Sequence, residues 1–198
     1  MATRIAAYIT NKLLASLVIE EADRELYCYG FFLLISGVSF FVVTLVVGFL
    51  ASAPFESVIF YILFMLLRSY AGGIHANTET ACVVLTTLAL TVSVFIIKVM
   101  EQMNGSEIPF LMLGSGDLCI LLFSPLDTKD KPLEKLEKKK YRMVCVFIVL
   151  FYTTAALIAY QLSLNTILFP VACSICLEGI LLIIGKLRHI RSESANKV

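Results

Sequence analysis

The sequence predicts an all-α integral membrane protein with six transmembrane helices, an N-terminal amphipathic interfacial helix and both termini in the cytoplasm. Three observations carry this expectation. The first is composition: 59% of the 198 residues are hydrophobic and only 16% charged, and the mean hydropathy is +0.90. A soluble domain has ~45–50% and ~25% respectively. The second is that the apolar residues gather into runs close to the ~20 residues a helix needs to cross hydrocarbon. The third is the segregation of Lys and Arg once those runs are threaded back and forth.

Residues 1–28 place Ile5, Ile9, Leu13 and Leu17 four apart, with Arg4, Asn11 and Lys12 off that stripe. That periodicity predicts a helix suited to lying in the interface rather than spanning it. Spans are expected near 29–51, 54–70, 81–99, 108–123, 143–162 and 166–185, within one membrane domain covering 1–198. The second is short. The fourth is short too and carries Gly114, Gly116 and Asp117, so tilting or partial unwinding inside protein is an open alternative for both. The last contains Pro170 and Glu178.

With six crossings, the N-terminal segment, residues 68–80, the loop 124–142 and the tail 186–198 share one side. Every Lys and Arg except Lys98 then falls on that side, and the positive-inside rule makes it the cytoplasm. Basic residues flank spans instead of mixing with aromatics on a soluble face, so nucleic acid is not an expected partner; the lipid bilayer is. No cleavable signal peptide is expected, because the first apolar run begins only near Tyr29 and outruns such a segment.

The chemistry concentrates in one polar break, RSYAGGIHANTETAC at residues 68–82. A cytoplasmic cysteine stays reduced, and a neighbouring imidazole is the usual device for making its thiolate near neutral pH. His75 is the histidine within reach of Cys82, since His189 lies in the tail. If the third span begins at 80–82, Cys82 sits near a helix N-terminus, where backbone N–H groups and the dipole also favour a thiolate. Gly72 and Gly73 allow a sharp turn bringing His75 toward Cys82, and their N–H groups are candidate oxyanion donors. A lone cysteine at a helix start is ordinarily a small packing residue, and a lone interfacial histidine a polar anchor. It is the concurrence of Arg68, Gly72-Gly73, His75 and Cys82 that favours a catalytic dyad. By contrast Cys119, Cys145, Cys173 and Cys176 fall inside apolar runs as small hydrophobes, and the Cys173-x-x-Cys176 pair has no partner pair or His. No metal and no cofactor is expected.

The stretch Arg68…Gly72-Gly73-Ile74-His75-Ala76…Cys82 resembles the signature of the accessory gene regulator B (AgrB) family, membrane cysteine endopeptidases of Gram-positive quorum sensing. SPLDTKDKPLEKLEKKK, from Ser124 to Lys140, is similar to that family's Ser-Pro…Asp…Lys…Lys-Pro loop and its basic run, except that Asp130 replaces a more usual asparagine. Length, six spans and motif order extend the resemblance over nearly the whole chain. It implies a multi-pass protein of the bacterial cell membrane whose partner is a small amphipathic AgrD-like propeptide, and a homodimer as its assembly. Cys82 would cleave off the propeptide's acidic tail through an acyl-enzyme, His75 acting as general base and then acid, and a thiolactone or lactone peptide would be released.

Secondary roles stay open on the residues. Asn77 and Glu79 are candidates to orient the dyad, and loop polarity or helix capping explains them equally well. Arg68 suits a substrate carboxylate or carbonyl, or a snorkelling anchor at the end of a span. Lys129, Lys131, Lys138, Lys139 and Lys140 suit a lipid-facing anchor and a dock for an acidic tail. Asp117 and Glu178 are intramembrane carboxylates and so candidates by chemistry alone. They also carry the competing expectation: a small transporter or peptide export channel lined by those two acids.

Overall fold

The computed structural model describes residues 2–72, 79–103, 107–126 and 135–195, without the side chains of Glu79, Lys135 and 189–195. Seven α-helices run through them: α1 Ala2–Ala15, α2 Arg24–Leu50, α3 Pro54–Ala71, α4 Glu79–Met103, α5 Glu107–Phe123, α6 Lys135–Gln161 and α7 Asn165–Ala195. A short 3-10 turn, Glu21–Asp23, precedes α2, and there is no strand among the described residues. The protein is all-helical, as its sequence predicts. Two compact units divide it, Met1–Val43 and Thr44–Val198.

In the first unit the helix expected over 1–28 is interrupted. α1 stops at Ala15, and Leu17 adopts φ 57°. There the N–H of Val18 donates to Leu13 O at 3.1 Å and that of Leu17 to Leu14 O at 3.0 Å, the paired bonds of a Schellman cap. Leu17 therefore leaves the expected apolar stripe and is almost fully exposed. The inward residues of α1 are instead Ala6 and Thr10, small enough for close packing. Arg24, at the start of α2, donates through Nη2 to Asn11 Oδ1 at 3.2 Å, tying the two helices together.

In the second unit α7 is the hub, in contact with α3, α4, α5 and α6. Of its membrane-crossing window 61% is buried, against 11–33% for the other spans. An apolar helix buried over most of its length is the interior element of a bundle, and its neighbours keep an apolar face toward lipid. Close approach to α5 depends on two glycines. A Cβ on Gly116 would lie 2.7 Å from the carbonyl oxygen of Ile175, and one on Gly179 would lie 3.0 Å from the Cα of Gly116. The helices therefore meet backbone to backbone, as small residues permit inside membranes. Gly116 thus serves packing: α5 runs unbroken through Gly114, Gly116 and Asp117 rather than unwinding.

Among the described residues five segments are, by length and composition, able to cross a membrane: Glu21–Leu50, Pro54–Ala71, Thr80–Met103, Leu136–Gln161 and Asn165–Arg188. The fourth expected span, α5, is not among them: it has 17 residues, about 25 Å of helix where the hydrocarbon is ~30 Å thick. Two other boundaries shift. α6 begins at Lys135, so the end of the expected 124–142 loop is helical, and α7 continues to Ala195, through most of the expected tail.

Candidate functional site

The site is built where α3 ends. Pro54 opens that helix and Gly72 closes it, with the Gly72 N–H donating to Arg68 O at 3.2 Å. Gly72 has φ 79°, and a Cβ there would stand 2.7 Å from Leu126 O. Both the left-handed backbone and the lack of space require glycine. Beside it the Leu126 N–H donates to Ala71 O at 2.9 Å. This bond joins the two motifs singled out in the sequence, the 68–82 break and the loop beginning at Ser124. Neighbouring contacts firm the same region. Arg142 Nη2 donates to Leu121 O at 3.3 Å, covering a carbonyl at the end of α5, and Tyr70 packs edge-on against Tyr141, their ring centroids 5.9 Å apart.

α4 is described from Glu79, which puts Cys82 three residues into it. The thiol is free and partly exposed. His75, Gly73 and Asn77 lie outside the described residues, as do Lys129, Lys131 and Asp130; Glu79 opens α4 three residues before Cys82, its side chain not described. Gly72 fits an oxyanion role less well than its sequence suggests, because its N–H is already engaged by Arg68 O. Lys138, Lys139 and Lys140 are exposed on the first turns of α6 and so form a helical row rather than part of a loop.

Arg68 is not directed outward as a snorkelling anchor. Its Nη1 lies 3.6 Å from Oε2 of Glu178 and donates to Gly72 O at 3.3 Å. Glu178, on α7, is fully buried. The sequence offers both residues but not their pairing, because α3 and α7 are far apart along the chain. Asp117 has a different partner: its Oδ2 accepts from Thr153 Oγ1 of α6 at 2.8 Å. The two acids of the transporter expectation are thus held by different neighbours, one by a cation and one by a hydroxyl. Among the described residues no group of three or more His, Cys, Asp or Glu could hold a metal ion. Cys173 donates toward Ser93 O at 3.7 Å, packing α7 on α4.

A bundle of apolar helices around a largely buried hub, with a buried ion pair where α3 ends, defines a helical membrane protein. The accessory gene regulator B profile matches residues 2–184, and the chain belongs to that family. It is 30% identical to AgrB-like protein 2 of Clostridium perfringens (strain 13 / Type A) over 188 residues, 88% of this chain and 86% of the relative. It is also 30% identical to an AgrB-like protein of C. perfringens (strain SM101 / Type A) over 151 residues, 72% and 69% of the two chains. No solved structure matches it. Family membership supports a role in the accessory gene regulator system, in a membrane context and with an AgrD-like propeptide as partner.

Proposed function

We propose that the protein is a membrane-embedded cysteine endopeptidase that removes the C-terminal tail of an AgrD-like propeptide and cyclises the remainder into a quorum-sensing thiolactone or lactone. The observation that carries this reading is the free, partly exposed Cys82 thiol, three residues into α4 as described. The Cys82 thiolate attacks a backbone carbonyl carbon of the propeptide, and the C–N bond breaks. The thiol proton, held by His75, passes to the departing amine. An acyl-enzyme thioester is left on Cys82. A thiol or hydroxyl inside the propeptide then attacks it, the new ring bond forms, and Cys82 departs as the leaving group. Exchange of one thioester for another is nearly balanced in bond energy, whereas converting the amide to a thioester is uphill, so loss of the tail helps to drive the sequence.

In this reading the chain crosses the membrane six times with both termini in the cytoplasm. The Leu126–Ala71 bond supports that threading: α5 ends beside the end of α3, so a chain that departs in α4 returns in α5. The exposed Lys138–Lys140 stretch of α6 then stands at the inner surface, suited to an acidic tail and to anionic lipid, with Lys129 and Lys131 a few residues earlier in the sequence. Arg68, beside Gly72, is read as a substrate-binding group, and Asn77 or Glu79 as orienting groups for the dyad.

The test is cleavage of a propeptide in proteoliposomes. Cys82→Ala and His75→Ala should each abolish release of the tail while the protein still inserts and purifies as a folded species. Release of the tail by either variant would remove the dyad.

A further inference from the structure

Glu178 is the most costly side chain in the bundle to explain. It is fully buried on the hub helix, and neither of its carboxylate oxygens makes a hydrogen bond among the described residues. A carboxylate taken out of water needs a cation close by. Arg68 supplies it at 3.6 Å, beyond hydrogen-bond length but well within ion-pair range. The same guanidinium nitrogen, Nη1, donates to the carbonyl of Gly72. One cation therefore bridges an acid inside the hub and the residue at which α3 ends.

This chain of contacts links the interior of α7 to the start of the polar break. Gly72 can adopt many backbone conformations. Its N–H is held by its own helix, its flank by Leu126 and its carbonyl by Arg68. The buried acid draws the Arg68 guanidinium inward, to within reach of that carbonyl, where a long, flexible cation near the surface otherwise favours water or lipid headgroups. We infer that Glu178 is a positioning residue for the proposed peptidase, acting through Arg68 on the carbonyl of Gly72 and so on the direction in which the chain departs toward His75 and Cys82. This rests on the peptidase reading, and Glu178 touches no reacting atom.

The test uses full-length protein in proteoliposomes with two readouts: propeptide cleavage, and the alkylation rate of Cys82 near pH 7 resolved by mass spectrometry. Protection of Cys173, almost fully buried, reports the fold within the same spectra. Glu178→Gln keeps the size of the side chain and removes its charge. It should slow both readouts at least tenfold with Cys173 still protected. Because Glu178 acts through Arg68, the double variant Arg68→Gln/Glu178→Gln should be no slower than Arg68→Gln alone. Wild-type rates in Glu178→Gln would overturn the inference, as would independent losses that multiply in the double variant. If Glu178→Gln exposes Cys173, the comparison passes to the neutral double variant against Arg68→Gln: equal rates uphold the inference, slower rates reject it. Cys82→Ala is run alongside. Cleavage by that variant defeats the peptidase reading and this inference with it, whereas an inactive Cys82→Ala beside an unaffected Glu178→Gln defeats only the inference.

Discussion

A free, partly exposed thiol is open to an alkylating reagent from which buried thiols are shielded. Cys82 is such a thiol, and Cys145 and Cys173 serve as buried controls in the same chain. In membranes near pH 7, Cys82 is expected to be alkylated well ahead of both, and His75→Ala to slow it by roughly an order of magnitude. An alkylation rate indifferent to His75 would leave the imidazole without a role in the thiol's chemistry. The polar break itself was legible, because glycine, histidine and cysteine in an oily chain have few reasons to occur together. The Arg68–Glu178 pair was not. Ion pairing between distant helices leaves no mark on local spacing, and each residue alone is explained by something simpler.

Helix ends and helix crossings show where local signals mislead. α1, α2 and α6 all end with a residue at positive φ, namely Leu17, Ser52 and Ser163. Ser52 and Ser163 repeat the paired bonds seen after α1: Ala53 N–H to Gly48 O at 2.8 Å, and Leu164 N–H to Ala159 O at 2.8 Å. Glycine is the usual residue there, and its absence hid the break inside 1–28 from a reading based on periodicity. A left-handed conformation costs an L-residue roughly 1–2 kcal/mol. Ser163→Gly should accordingly raise the unfolding temperature in detergent and Ser163→Val lower it; the reverse order would mean the cap is not formed. The glycines of α5 make a matched pair. Gly116→Ala drives a Cβ into Ile175 and is expected to cost about 1–3 kcal/mol by overpacking. Gly114→Ala meets nothing within 4 Å and should be neutral or better. Equal effects at the two sites would sink the close α5–α7 crossing. Composition alone could not separate them, because a glycine that breaks a helix and one that admits a neighbour look alike in sequence.

For the molecule as a whole, charge and hydropathy spoke most clearly, since both are summed over many residues and survive errors at any one. They announced an all-helical membrane protein. They could not measure α5, whose 17 residues fall short of the ~30 Å hydrocarbon layer. The six-crossing arrangement makes a direct topological prediction. In a variant otherwise free of cysteine, Ser106→Cys should react with a membrane-impermeant maleimide on intact cells, and Lys129→Cys only after permeabilisation. Labelling of both from the same face would remove one crossing. The Lys138–Lys140 row adds a kinetic expectation: reversal to Glu should raise KM for a propeptide with an acidic tail, several-fold at low salt and less at high salt. Unchanged KM would confine those lysines to the lipid. Finally, the bond between Leu126 and Ala71 bears on how relatives of this protein can be recombined. Segments distant in sequence are stitched there by backbone atoms, with Gly72 fitted against Leu126. A chimera that borrows residues 68–82 from a relative inherits one half of a seam cut to another pattern. Specificity should therefore transfer between family members when the break and the Ser124 loop travel together, and fail when either travels alone.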